Sequence, residues 1–299
     1  MSWFRELLLP MPGTAEPVAS SRLVPFYTGI ATLPTEVLLG CWAGPPWLED
    51  PRGGLVIGAD AFTRYVEQTR EWLALSDAGA RTLTRSGTQA RAVEEVLLDP
   101  EVGGVRQELG AAVLTERDAD HRLTAVRIYH SMRAMPDLPV HLPATTPEPD
   151  LVLPRFVQAL HQAREGGDAD AVLECYEDGA QVTRFDAGTE VHSGRDGLQR
   201  LHAGTGVAGA RATTGLCSVT DDGRTCAVEY RVSQPGTAAP EQAGLSLYAR
   251  GPAGRIAEER HYLVTGRSAF APTATPSAPA RPGSAPAAGA YADAGSGPR

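Results

Sequence analysis

The stretch Gly167-Asp168-Ala169-Asp170-Ala171-Val172-Leu173, running on to Gly179, then Thr183-Arg184-Phe185 and finally His192-Ser193-Gly194-Arg195-Asp196-Gly197-Leu198, decides the fold. Asp168 to Leu173 open a short helix that ends near Gly179. A short strand and a turn follow, and Gly194 to Leu198 begin a second helix. Asp196 falls in its first turn, where a carboxylate suits the positive helix end. The same grammar occurs earlier in the chain. Pro34-Thr35-Glu36-Val37-Leu38-Leu39 open a short helix ending near Gly44, and Gly58-Ala59-Asp60-Ala61-Phe62 begin a longer one.

Past those helices each half changes to short alternating runs, separated by turn signals such as Asp221-Asp222-Gly223. The runs are Ala90 to Leu98, Gly110 to Thr115 and Leu123 to Tyr129 in the first half. In the second they are Thr225 to Val232, Gly244 to Arg250 and Ile256 to Tyr262. Helices followed by antiparallel strands is an α+β order. A period of about 135 residues is too long for a solenoid, so the pattern predicts two tandem domains.

The chain has 299 residues, enough for two ordinary domains. Residues 136–153 are a proline-rich linker, with six prolines between Pro136 and Pro154, and should be extended. The domains it separates span 22–135 and 154–267. Residues 268–299 are rich in Ala, Pro, Gly and Ser with little to bury, a composition that predicts disorder.

All 27 basic residues are Arg and the formal charge is -9, with no basic run. Nucleic-acid binding needs a positive footprint, so that class of partner is excluded. Cys41, Cys175, Cys217 and Cys226 form no CxxC pair and read as buried thiols of a reducing compartment. The apolar run Leu7 to Leu9 is too short for a leader or a membrane span. These features predict a cytoplasmic protein without membrane partners. No phosphate loop, metal cluster or nucleophile elbow is present in the sequence, so no cofactor is expected.

These residues together resemble the nuclear transport factor 2-like superfamily, in its SnoaL-like and ketosteroid-isomerase-like branch. The first half carries the likeness in Phe26-Tyr27, Val37-Leu38 and Trp47-Leu48-Glu49-Asp50-Pro51-Arg52-Gly53-Gly54. The second carries it in Gly167 to Asp178 and His192 to Asp196. The resemblance implies, for each half, a curved antiparallel sheet closed by three helices into a cone with a mostly apolar interior. It also implies acid–base chemistry without a cofactor, an isomerisation or cyclisation of a hydrophobic oxygenated molecule such as a polyketide. Two alternatives stay open: epoxide opening of the tandem polyether type, and a non-catalytic binding or dimerisation module. Single domains of this family pair through their sheets, which implies an intramolecular pseudo-dimer and a monomeric chain.

Asp50, within Glu49-Asp50-Pro51, resembles the segment that carries the general base of ketosteroid isomerase. That enzyme is a worked case of an Asp base facing an oxyanion site. Pro51 holds Asp50 extended. Tyr27 lies close to the family's phenol donor. If alternation holds on the last strand, Val126, Ile128 and His130 share the pocket face, and His130 can act near neutral pH. Trp47 would form a pocket wall. In the second half the base position holds Arg184, and alternation turns Glu259 and His261 inward beside it. That group can hold a carboxylate or run other acid–base chemistry, or Arg184 and Glu259 can form a structural ion pair. His192 and His202 read as loop and helix-surface residues.

Overall fold

A computed structural model describes residues 25–132, 140–185, 188–205, 213–233 and 242–264. The run Leu7 to Leu9 and the tail 268–299 lie outside the described residues. Among the described residues no helix is long and apolar enough to cross a membrane.

The first half begins with α1 (Phe26–Thr32) and α2 (Thr35–Gly40). Each follows a proline, Pro25 or Pro34, whose extended backbone leads into the first turn. Next come β1 (Trp47–Asp50), β2 (Gly54–Ile57) and α3 (Ala59–Leu75). On α3, Phe62, Tyr65, Val66, Thr69 and Leu73 form one buried stripe at helical spacing. Then follow β3 (Ala80–Gly87), β4 (Arg91–Leu98), a small hairpin of β5 (Glu101–Val102) and β6 (Val105–Arg106), β7 (Leu109–Arg117) and β8 (Leu123–His130).

The second half repeats this order. It has α4 (Arg155–Gly166), α5 (Ala169–Glu174), β9 (Tyr176–Phe185), β10 (Thr189–Ser193) and α6 (Gly194–Thr205). The strands β11 (Thr213–Asp221), β12 (Thr225–Ser233), β13 (Gln242–Arg250) and β14 (Ile256–Val264) complete it. Gly167 ends α4 in the left-handed conformation at φ 70°, and Asp168 caps α5 by accepting from Ala171 N at 2.9 Å. The helix expected to reach Gly179 stops at Glu174, because Tyr176 already enters the sheet. In the same way α2 stops at Gly40, short of Gly44.

The strand orders are β2-β1-β8-β7-β4-β3 and β10-β9-β14-β13-β12-β11, which are equivalent position by position. Each half therefore has the architecture that the resemblance implied, with one correction. The sheets are mixed: β1 runs parallel to β8 and β9 parallel to β14, while the remaining ladders are antiparallel. Between β1 and β8 the chain runs through α3 and the strands β2 to β7, and it returns β8 beside β1 in the same direction. Bulges at Leu83 on β3 and Cys217 on β11 recur at matching places and add curvature.

Both halves belong to one compact unit with three apolar cores. Two of the cores lie under the helices of their own half. The third joins Val93, Ala112, Leu114 and Tyr129 of the first sheet to Phe185, Ala227, Leu245, Leu247 and Tyr262 of the second. Alternation explains the division, since Val126 and Ile128 face the inner core while Arg127 and Tyr129 between and beyond them face the other sheet.

Two buried carboxylates fasten that interface. Glu229 on β12 accepts from Arg127 Nε at 2.6 Å, Arg127 Nη2 at 2.9 Å, Tyr129 OH at 2.7 Å and the Ser218 hydroxyl. Glu95 on β4 accepts from Arg260 Nε at 2.6 Å, Arg260 Nη2 at 2.8 Å, Tyr262 OH at 2.8 Å and the Thr84 hydroxyl. Exchanging the halves maps one clamp on the other. Of the expected linker 136–153, residues 136–139 lie outside the described residues, and residues 140–153 form no helix or strand, turn at Pro149-Asp150 and pass from one sheet to the other. Ala144 N donates to Glu49 Oε1 at 2.9 Å, and Glu148 N donates to Leu216 O at 2.7 Å.

Candidate active site

The first half brings Asp50, His130, Tyr65 and Tyr27 together at the end of β1, and all four are buried. Asp50 Oδ1 accepts from Arg52 N at 2.7 Å and lies 3.3 Å from His130 Nε2, while Oδ2 accepts from Tyr65 OH at 2.8 Å. Burial alone would raise the Asp50 pKa. The His130 hydrogen bond and charge, with Arg52, outweigh it and hold the carboxyl well below the usual range. His130 Nδ1 lies 3.2 Å from Ser131 O, so both ring nitrogens face acceptors. Tyr27 is buried near Asp50, and desolvation together with that negative charge raises its phenol well above the ordinary value.

This arrangement gives a saturated carboxylate. Arg52 N, Tyr65 OH and His130 Nε2 already lie on the two oxygens of Asp50. Phe26, Trp42, Phe62, Val126 and Ile128 belong to the apolar core of the same half. Trp47 is half-buried on β1. Tyr65 was not singled out by the sequence reading, although its place three residues after Phe62 on the α3 stripe marks it as inward-facing.

The second half is different. A cavity of about 550 Å³ opens between α4, α5, α6 and the sheet, lined by Arg164, Val172, Arg184, Phe185, Leu201, His202, Tyr230, His261 and Leu263 among others. At its base Glu259 is fully buried. Its Oε2 accepts from Arg164 Nη2 at 2.9 Å and from the Tyr176 hydroxyl, and its Oε1 lies 2.9 Å from His261 Nε2. Burial would raise the Glu259 pKa, but Arg164 and His261 hold it well below the usual range. His261 Nδ1 is 2.7 Å from Ser246 Oγ, the residue opposite it on β13.

The structure thus brings Arg184 and His261 to the wall of one cavity, with Glu259 buried beside His261, but pairs Glu259 with Arg164. The alternative of an Arg184–Glu259 ion pair is not what forms. Arg164, in the last turn of α4, reaches down onto the carboxylate, whereas Arg184 lies 4.0 Å from Glu190 with its side chain 40% exposed. His202 also departs from expectation. It lines the cavity and lies 6.0 Å from the Tyr176 ring, and burial followed by the Arg164 charge lowers its pKa to about 4. His192 contacts Glu190 at 3.0 Å. Sheet register puts Val126 and Ile128 where the second half has Glu259 and His261, so the two interiors have exchanged apolar for ionisable groups. Among the described residues no cluster of three or more His, Cys, Asp or Glu could hold a metal ion.

No protein family and no curated protein matches this chain. Among solved structures it is similar to a putative polyketide cyclase from Sinorhizobium meliloti, at 23% identity and TM-score 0.32, over 36% of this chain and 94% of that one. It is also similar to a protein with a ketosteroid isomerase-like fold from Catenulispora acidiphila, at 17% identity and TM-score 0.32, over 37% and 86% of the two chains. An epoxide hydrolase/cyclase-like enzyme of pyran ring formation in salinomycin matches at 19% identity and TM-score 0.31, over 36% and 87%.

Proposed function

We propose that the chain is a cofactor-independent acid–base enzyme, of isomerase or cyclase type, acting on a hydrophobic oxygenated small molecule in the cavity of the second half. The observation that supports this is an imidazole, His261, held between a buried ionised carboxylate and a hydroxyl at the wall of a cavity of about 550 Å³. That volume is in the range of small-molecule sites, and the lining mixes apolar walls with a few convergent polar groups. Glu259 Oε1, 2.9 Å from Nε2, helps to set the place of the ring, and an imidazole is a side chain suited to general acid–base work. Asp50, the general base of the sequence reading, becomes a structural group in this proposal, since its oxygens are taken up by Arg52, Tyr65 and His130.

The test is an assay of the full chain with an enone, a polyketide ester and an epoxide. Turnover of one of them should fall by about 10²-fold or more in His261→Ala and survive in Asp50→Asn. The reverse pattern would return catalysis to the first half. Saturable binding of all three without turnover would make the chain a binding protein.

A further inference from the structure

Two arginines stand at the wall of the second-half cavity, and they differ in what holds them. Arg164 Nη2 donates to Glu259 Oε2 at 2.9 Å and to Tyr176 OH at 3.0 Å, so its charge is neutralised inside the protein. Among the described residues the guanidinium of Arg184 donates no hydrogen bond. Its one acidic neighbour there, Glu190, is 4.0 Å away, too far for a hydrogen bond. Glu190 is itself exposed, lies outside the cavity lining and is 3.0 Å from His192 Nε2. Asp168 is the one carboxylate among the lining residues, and its Oδ1 accepts from Ala171 N as the cap of α5. The wall therefore keeps one cation, Arg184, with no anion bonded to it.

The sheet sets where that cation points. Phe185 packs into the interface between the sheets, so alternation turns Arg184 to the opposite face, towards the cavity. Arg184 pairs with His261 across the parallel ladder of β9 and β14, and neighbouring strands lie about 4.8 Å apart. Glu49 pairs with Arg127 in the first half and Thr183 with Arg260 in the second, so the next residues, Asp50 and Arg184, hold equivalent places. The two halves thus carry opposite charges at one position. Asp50 meets Arg52 N, Tyr65 OH and His130 Nε2 within its own half. Arg184 meets no acceptor in its half, which leaves that part to a ligand.

We propose that Arg184 is the specificity-determining residue of this cavity, and that it binds the carboxylate of a hydrophobic carboxylic acid and holds that molecule beside His261. The inference rests on the reading of the cavity as an acid–base site and names its substrate class. A guanidinium is a planar fork that matches a carboxylate with two parallel hydrogen bonds. One unmatched cation balances one negative charge. A phosphate monoester, with a charge of about -1.5 to -2, would bring an excess of negative charge close to Glu259. Val172, Leu201 and Leu263 line the same space and take the apolar body of the acid.

The experiment is calorimetric titration of the full chain at pH 7 with 2-naphthoate and with 2-naphthamide, which share ring and size and differ in charge. Wild type should bind the naphthoate about tenfold more tightly, the scale of hydrogen bonds to a charged group. Arg184→Gln, with a wild-type melting curve, should lose that preference through weaker naphthoate binding and keep its affinity for the amide. Arg184→Lys should keep part of the preference, since it retains the charge without the fork. Glu190→Gln, which removes the acidic neighbour, should bind the naphthoate at least as tightly as wild type. Equal affinity of the wild type for both compounds, or a preference that survives in Arg184→Gln, overturns the assignment of Arg184 and leaves the cavity reading intact. Saturable binding of neither compound to the wild type overturns both.

Discussion

Replacing Glu229 by Leu should be among the most damaging single changes outside the two inner cores. Glu229 is 1% exposed and carries four hydrogen bonds from three side chains, Arg127, Tyr129 and Ser218. Burial would raise its pKa, but Arg127 first, then Ser218 and Tyr129, lower it to about 2. The gap from the ordinary 4.5, at about 1.4 kcal/mol per pH unit, is about 3 kcal/mol in favour of the folded chain. Removing the carboxylate also leaves Arg127, itself 2% exposed, with only Glu116 at 2.8 Å. Breaking one side of a buried pair costs about 3–5 kcal/mol, in line with the first figure. With a urea dependence of about 1–3 kcal/mol per molar, the midpoint should fall by about 1 M or more. The assay is urea unfolding followed by tryptophan fluorescence and circular dichroism at pH 7. Arg127→Met in the same background should restore part of the loss, because the stranded cation is gone. Because the folded pKa is depressed, the wild-type contribution is complete above about pH 4.5 and disappears as pH falls towards 2. The wild-type and Glu229→Leu stabilities should therefore converge across that window. A loss below about 1 kcal/mol, or one unchanged between pH 5 and pH 2.5, would refute the reasoning.

Tyr65→Phe removes one of three donors to Asp50 and should cost about 1–2 kcal/mol in urea unfolding without lowering turnover in the second-half cavity. Gly110→Ala should destabilise by about 1–3 kcal/mol, since its Cβ would meet the Phe185 ring at 2.2 Å across the sheet interface, and a neutral result would deny that packing. His161 and His202, both held neutral with pKa values lowered to about 4, give stability that is complete above about pH 6.5 and is lost as pH falls towards 4. His161→Phe should flatten that decline in a pH series of melting curves. The interface between the halves uses both sheet faces, so the chain should be monomeric by light scattering, and a clear dimer would count against an internal pairing.

The order of elements was legible in the sequence because helix starts, turns and alternation are local signals. Pro34, Asp168, Gly58 and Gly194 marked helix entries, and the alternation in Leu123 to Tyr129 and Ile256 to Tyr262 separated inward from outward side chains. The parallel pairing of β1 with β8 was not legible, since strand direction inside a sheet depends on how the intervening chain returns. Tyr65 and Tyr230 were each within reach of simple periodicity, on the α3 stripe and on the Cys226-Val228-Tyr230 face of β12. Arg164 and Ser246 were not, because nothing near them in the chain shows that they meet Glu259 and His261.

The duplication shows how these two kinds of information divide. The sequence by itself determined that one build occurs twice, with ionisable groups at inner positions of the second copy where the first has Val126 and Ile128. Only the tertiary structure decided what those groups do. In the first half it surrounds Asp50 with donors and leaves a buried, satisfied carboxylate. In the second it brings Arg164 from a helix and Ser246 from a neighbouring strand, and leaves a cavity beside His261. The physical reason is that the behaviour of a titratable group depends on its neighbours in space, on its burial and on their charge, and these come from parts of the chain far apart in sequence.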